Sequence, residues 1–202
     1  LLHSGKQHGL QDHIDYLIDC NIDYDLIVCP DSSSNDYEYH ERLKELGIPV
    51  LVLDHHIVEK DCPLSDNAYI INNQLSENYK NKQLTGAGIV YQFCRYVDEI
   101  LSCSYSNQYI DLAALGIIGD MGSVLELENR YIIKNGLENI RNDFFWELMR
   151  KQGYSITGKM NPSDNEILEK MSPITTAFYI VPLVNAMIRV GSESEKARAF
   201  LA

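Results

Sequence analysis

Residues 48–56 read Ile48-Pro49-Val50-Leu51-Val52-Leu53-Asp54-His55-His56. The first six form a β-rich apolar run. The last three are polar side chains that can bind or orient a metal ion. A continuous apolar run, unlike an alternating one, suits a strand covered on both faces, as in a parallel sheet. Open parallel sheets carry their chemistry just past the C-terminal ends of the strands, which is where Asp54-His55-His56 falls.

Upstream, Tyr24-Asp25-Leu26-Ile27-Val28-Cys29 reads as a second buried strand. It follows a helix over 10–20 with Leu10, Ile14, Leu17 and Ile18 at helical spacing. The loop Pro30 to Asp36 is rich in turn formers, and Ser34 or Asn35 is expected to cap a helix through Tyr39, Leu43 and Leu46, closed by Gly47. Strand 24–29, this helix and strand 49–53 make a right-handed crossover with parallel strands. A third short strand is expected over Ala68 to Ile71, with a polar loop over 73–83. Thr85-Gly86-Ala87-Gly88 opens a helix over 87–102 whose Ile89, Val90, Phe93 and Val97 turn inward. A second helix over 107–118 is so apolar that it must be buried on most of its circumference. Helices over 127–141, 143–152 and 164–171, and one from Ser192, complete the chain. Strands come early and helices late. The pattern predicts a Rossmann-like α/β core over 1–125 and a helical portion over 126–202.

Of the 202 residues, 45% are hydrophobic and 23% charged, which suits a soluble globular protein. No continuous apolar run approaches the roughly 18 residues of a membrane span, so a membrane is not an expected partner. The five cysteines are odd in number and form no C-x-x-C pair. They are expected to be reduced core residues of a cytoplasmic protein. The chain has no initiator Met and is expected to begin inside a longer protein. Its net charge is −12, with 9 basic and 22 acidic side chains over 1–140 against 8 and 7 over 141–202. Nucleic-acid binders usually carry a basic footprint. Here a long polyanion would need metal ions or further segments to supply the positive charge.

Three polar positions end apolar segments. Asp31 lies just past strand 24–29, His55 and His56 just past strand 49–53, and Asp120 just past helix 107–118 in Gly119-Asp120-Met121-Gly122. Strand ends of one parallel sheet share an edge, so Asp31 and His55 are expected to meet. Neighbours on a strand face opposite sides, so one of His55 and His56 is expected to bind metal while the other reaches substrate. The glycines flanking Asp120 would permit close approach of backbone or ligand. Two carboxylates and an imidazole form a mixed oxygen and nitrogen site suited to manganese and similar divalent ions, rather than a thiolate zinc site.

Val52-Leu53-Asp54-His55-His56 resembles the signature of the DHH phosphoesterase superfamily, in particular its RecJ-type single-strand-specific DNA exonucleases. The resemblance continues in order through Leu26 to Asp31, Leu84 to Val90, Asp111 to Asp120 and Pro182 to Arg189. It implies a manganese-dependent phosphodiesterase, with magnesium as a substitute, that digests single-stranded DNA from the 5′ end in repair and recombination. A single-strand-binding protein or a helicase are the partners it suggests. By the same resemblance Asp31 bridges two metals, His55 binds one of them and Asp120 completes that ion's shell. Asp54 orients the site, His56 contacts the scissile phosphate, and Asn185 and Arg189 hold a nucleic-acid phosphate. The family's Asp-x-Asp-Gly motif and its C-terminal histidine motif have no counterpart in these residues, and Ile188 replaces a usual glycine. The chain is therefore expected to hold part of the site and to be incomplete as a catalyst. Two alternatives stay open: a phosphoesterase acting on small substrates such as cyclic dinucleotides, very short RNA or pyrophosphate, and a non-catalytic replication scaffold.

Overall fold

The computed structural model describes residues 9–20 and 23–201. The chain divides into two compact units, the first ending at Phe93 and the second beginning at Cys94. The division falls inside one helix, after the last strand.

In the first unit, β1 (Ile27–Pro30), β2 (Val50–Asp54) and β3 (Ala68–Asn72) form a parallel sheet in the order β1-β2-β3. β1 begins at Ile27 rather than Tyr24, because its pairing starts where the Ile27 N–H meets Pro49 O at 3.0 Å. One sheet face buries Cys29, Val50 and Val52 against Leu10, Ile14 and Leu17 of the N-terminal segment and Leu43 of α2 (Tyr37–Glu45). The N-terminal segment is a short 3₁₀ turn, Leu10–Asp12, followed by α1 (Ile14–Asp19). Leu43 is fully buried. Leu43→Ala is expected to cost roughly 2–5 kcal/mol, read as a lower urea midpoint at unchanged slope.

Neither Ser34 nor Asn35 caps α2. Asp36 holds the N-cap position and makes no side-chain cap bond. The Ser34 N–H is engaged by Asp54, and the Asn35 side chain spans to Ile57 and Glu59. At the other end the chain leaves α2 through Gly47 at φ 73°, as expected of a glycine just past a helix.

Helix α3 (Gly86–Leu101) runs across the division between the units. In the second unit α4 (Ile110–Gly119) packs along α5 (Leu127–Glu138). A Cβ added at Gly136 would lie 2.5 Å from both the Ala114 Cβ and the Ile110 carbonyl oxygen, so only glycine allows this crossing. α6 (Asp143–Lys151), α7 (Gly153–Thr157) and α8 (Asp164–Lys170) form a second group, of which α7 was not anticipated.

Next along the chain runs a helix with an irregular middle: α9 (Pro173–Thr175), a π turn (Thr176–Ile180) and α10 (Val181–Val190). Pro182 has no N–H to continue an α ladder, and the Val181 N–H reaches back to Thr176 O, five residues away. By length and composition this stretch could cross a membrane. The sequence shows no continuous apolar run there, because Asn185 and Arg189 interrupt it. Ser192 then caps α11 (Glu193–Phe200) in a reciprocal capping box with Glu195.

The Asp98 carboxylate, near the end of α3, accepts from the Ser106 N–H at 2.7 Å and the Cys103 thiol at 3.0 Å. These bonds hold its pKa down to about 2. A depressed carboxyl stabilises the fold above its unfolded pKa of roughly 4 and loses that contribution as pH falls toward the folded value. The stability gap between the native protein and Asp98→Asn is therefore expected to shrink between about pH 5 and pH 2, as denaturant titrations across that range would show.

Candidate metal centre

All three strands end on one edge of the sheet. The Asp31 N–H donates to Leu53 O at 2.8 Å, extending the ladder one residue past β1. The backbone then turns through left-handed conformations at Asp31 (φ 57°) and Ser33 (φ 76°). Non-glycine residues hold such angles at a cost of about 1–3 kcal/mol each, so the surrounding contacts must impose the turn.

Asp54 organises the edge. It is 1% exposed. Its Oδ2 accepts from the Ser34 N–H at 3.1 Å, and its Oδ1 from the N–H groups of His55 and His56 at 2.7 and 3.2 Å. The His56 Nδ1 lies 2.6 Å from the same oxygen. Burial opposes ionisation of Asp54, but the bonds from Ser34, His56 and His55 outweigh it and hold the carboxyl below the usual range. An ionised carboxylate can only accept. His56 therefore donates from Nδ1.

The two histidine rings do not face opposite sides. Their centroids are 4.6 Å apart. Strand alternation does not apply to them, because β2 ends at Asp54 and the two N–H bonds to its Oδ1 fold the chain into a turn. The His55 Nε2 stands 3.2 Å from Asp31 Oδ1. Asp31 in turn rests on Gly86, the first residue of α3. A Cβ there would lie 2.0 Å from Asp31 Oδ1 and 2.5 Å from its Cγ. Glycine thus forms the cradle for this carboxylate, at a helix N-terminus where the backbone dipole favours negative charge.

Asp31, Asp54, His55 and His56 each offer one ligand atom, all within 4.8 Å of one another. Two carboxylates and two imidazoles without thiolate make a donor set suited to manganese, and they could hold one ion. Beside them lies a cleft of about 590 Å³, lined by residues 32–36 on one wall and 54–57 on the other.

The other expected site residues lie in the second unit. Asp120 is the C-cap of α4. The left-handed backbone there is taken by Met121 at φ 57°, not by Gly119 or Gly122. Asn185 and Arg189 are exposed on α10, four residues apart and so on one helix face.

Sequence reasoning missed Asn35 and Asn72. The Asn35 Nδ2 donates to Ile57 O at 3.0 Å and its Oδ1 accepts from the Glu59 N–H at 2.9 Å, clasping the two loops across the cleft. Asn72 ends β3 on the same edge. The strand-end rule that singled out Asp31 and His55 applies equally to it.

Several known proteins are similar to this chain. The chain is 41% identical over 203 residues to YorK, an SPbeta prophage-derived protein of Bacillus subtilis named as a candidate single-strand DNA-specific exonuclease, with 99% of the chain and 32% of YorK covered. It is 30% identical over 178 residues to the single-stranded-DNA-specific exonuclease RecJ of Thermus thermophilus, covering 88% of the chain and 24% of that protein. The chain thus spans about a third or less of these relatives. A crystal structure of exonuclease RecJ bound to manganese superposes with a TM-score of 0.72 at 26% identity, covering 96% of the chain and 45% of RecJ. The crystal structure of Thermus thermophilus RecJ in complex with Mn2+ gives 0.72 at 28% identity, covering 94% and 26%. The family model described as "DHH family, N-terminal domain" matches residues 1–117, more than half of the sequence. With its Asp-His-His turn at the end of a parallel strand, the chain belongs to the DHH family.

Proposed function

We propose that this chain provides the metal-binding core of a manganese-dependent exonuclease that shortens single-stranded DNA from its 5′ end. The observation that carries the reading is the convergence of Asp31, Asp54, His55 and His56 within 4.8 Å beside an open cleft. Its similarity to manganese-bound RecJ supports the choice of metal, and its similarity to proteins named as single-strand DNA-specific exonucleases supports the choice of substrate. Magnesium is the expected substitute, and a single-strand-binding protein or a helicase the expected partner.

When bound, the metal supplies an acidified water and positive charge for the leaving oxygen of a phosphodiester. Asp31 and His55 hold it. Asp54 keeps a proton on His56 Nδ1 and so fixes the ring, and His56 meets the scissile phosphate through Nε2. The cleft is of small-ligand size and takes the terminal nucleotide between the serine loop and the histidine turn. Asp120 is proposed as a further ligand from its place in the family-like phrase. Asn185 and Arg189, on one face of α10, are proposed to hold a backbone phosphate, a task for which a guanidinium fork is well shaped.

A second reading, hydrolysis of small phosphodiesters, is favoured by the net charge of −12, which disfavours long polyanions. The test uses the complete natural polypeptide that carries these residues, with manganese. Its substrates are 5′-labelled and 3′-labelled single strands and a dinucleotide. Rapid release of labelled mononucleotide from the 5′-labelled strand is expected, with a loss of at least about 100-fold in His55→Ala. Cleavage of the dinucleotide alone would establish the second reading, and cleavage of neither substrate would remove both.

A further inference from the structure

We propose that Asn72 is a positioning residue that sets the place of His56 from the neighbouring strand; this rests on the metal-site reading above. Asn72 is the last residue of β3 and the register partner of Asp54. It is 4% exposed. Its Nδ2 donates twice, to Ser34 Oγ and to His56 O, both at 2.9 Å. Its Oδ1 accepts from the Gln74 N–H at 2.7 Å. Two acceptors on one side and an N–H on the other leave only one orientation for the amide.

These bonds close a ring. Asp54 accepts from the Ser34 N–H, the Ser34 hydroxyl accepts from Asn72, Asn72 donates to the His56 carbonyl, and the His56 ring returns to Asp54. Each of the three strands contributes the segment at its C-terminal end. His56 lies two residues beyond the end of β2, and the Asn72 amide holds its carbonyl from the neighbouring strand. Asp54 holds the ring at Nδ1. Asn72 fixes the peptide from which the ring projects, and the ring's direction depends on both. Asn72 is not one of the four residues whose ligand atoms converge, so its effect passes through His56 and Ser34.

Asn67 offers an internal control. It stands just before the other end of β3 and its Nδ2 also donates to two carbonyls, His40 O at 3.2 Å and Ile48 O at 2.8 Å, away from the metal-binding edge. The experiment compares Asn72→Ala, Asn72→Asp, Asn67→Ala and His55→Ala in the full chain. Melting temperature, Mn2+ affinity by electron paramagnetic resonance of free Mn2+, and the ¹⁵N signals of the His56 ring in metal-free protein are measured. Both Asn72 variants are expected to weaken Mn2+ binding by about tenfold and to replace the single Nδ1–H signature of His56 with a mixture of forms. Asn67→Ala is expected to melt earlier while keeping both properties. If the Asn72 variants melt earlier yet keep Mn2+ affinity and the His56 signature within about twofold of the native values, against the tenfold or larger loss expected of an outer-shell partner, the assignment is overturned. Where either fails to fold, Ser34→Ala removes one link of the same ring without touching β3, and the same two readouts decide. Should His55→Ala also leave Mn2+ affinity unchanged, the metal reading itself falls, and the His56 signature still judges Asn72.

Discussion

Asp111→Ala is expected to lower the unfolding free energy by about 3–5 kcal/mol, a large share of the roughly 5–15 kcal/mol typical of a folded domain. Asp111 sits in the first turn of α4 and has no exposed surface. Its Oδ2 accepts from the N–H groups of Arg141 and Asn142 at 2.7 and 2.8 Å, and its Oδ1 from the Leu112 N–H at 2.9 Å. The first two bonds fasten the segment leading into α6, whose N-cap is Asn142. Alanine would strip these donors of their acceptor and leave a cavity between α4 and the segment at 141–142. The Asp111→Asn variant would fill the volume but offer a single acceptor oxygen, and it should recover only part of the loss. Urea unfolding of both variants checks this. A loss below about 1 kcal/mol for alanine, the size expected of one ordinary exposed hydrogen bond, would show that the buried carboxylate does not hold the helices together.

Gly86→Ala is expected to weaken Mn2+ binding by about 10–100-fold, the range found when a ligand's support is disturbed. The new methyl would lie 2.0 Å from Asp31 Oδ1 and 2.7 Å from Asp31 Cβ. Rotating the carboxylate alone cannot relieve a clash that includes Cβ, and Asp31 is already held at φ 57° by its backbone bond to Leu53. Either Asp31 leaves its place 3.2 Å from the His55 Nε2 or the start of α3 shifts outward. Titration of Mn2+ into the variant, with circular dichroism to confirm folding, separates a local effect on the site from a global loss. Unchanged affinity in a folded variant would mean that this position of Asp31 is not the one that binds metal.

The run 48–56 is enough to place a buried strand and the polar turn after it, because local hydrophobicity and chain direction set both. The same logic located β1, β3, the glycine exit of α2 and the helix start at Thr85-Gly86, and it brought Asp31 to His55. Residues whose partners are distant in sequence were not legible. Ser34 and Asn35 have the chemistry of helix caps, but Asp54, Ile57 and Glu59 engage them from 20 or more residues away. His55 and His56 were expected on opposite faces because strand geometry was extended past its end. An acid in the first turn of an apolar helix looks like a solvated complement to the helix dipole, and nothing near Asp111 announces the two N–H groups it receives from residues 141 and 142.

By itself, then, the sequence determined which segments become strands, in what order, and which polar residues follow them, since these depend on neighbours within a few positions. Only the tertiary structure decided which of those polar groups share hydrogen bonds. Asn72 meets His56, Asp54 turns both histidines to one side, and Gly86 receives a carboxylate 55 positions away, because hydrogen bonds and steric contacts act over about 3 Å whatever the separation along the chain.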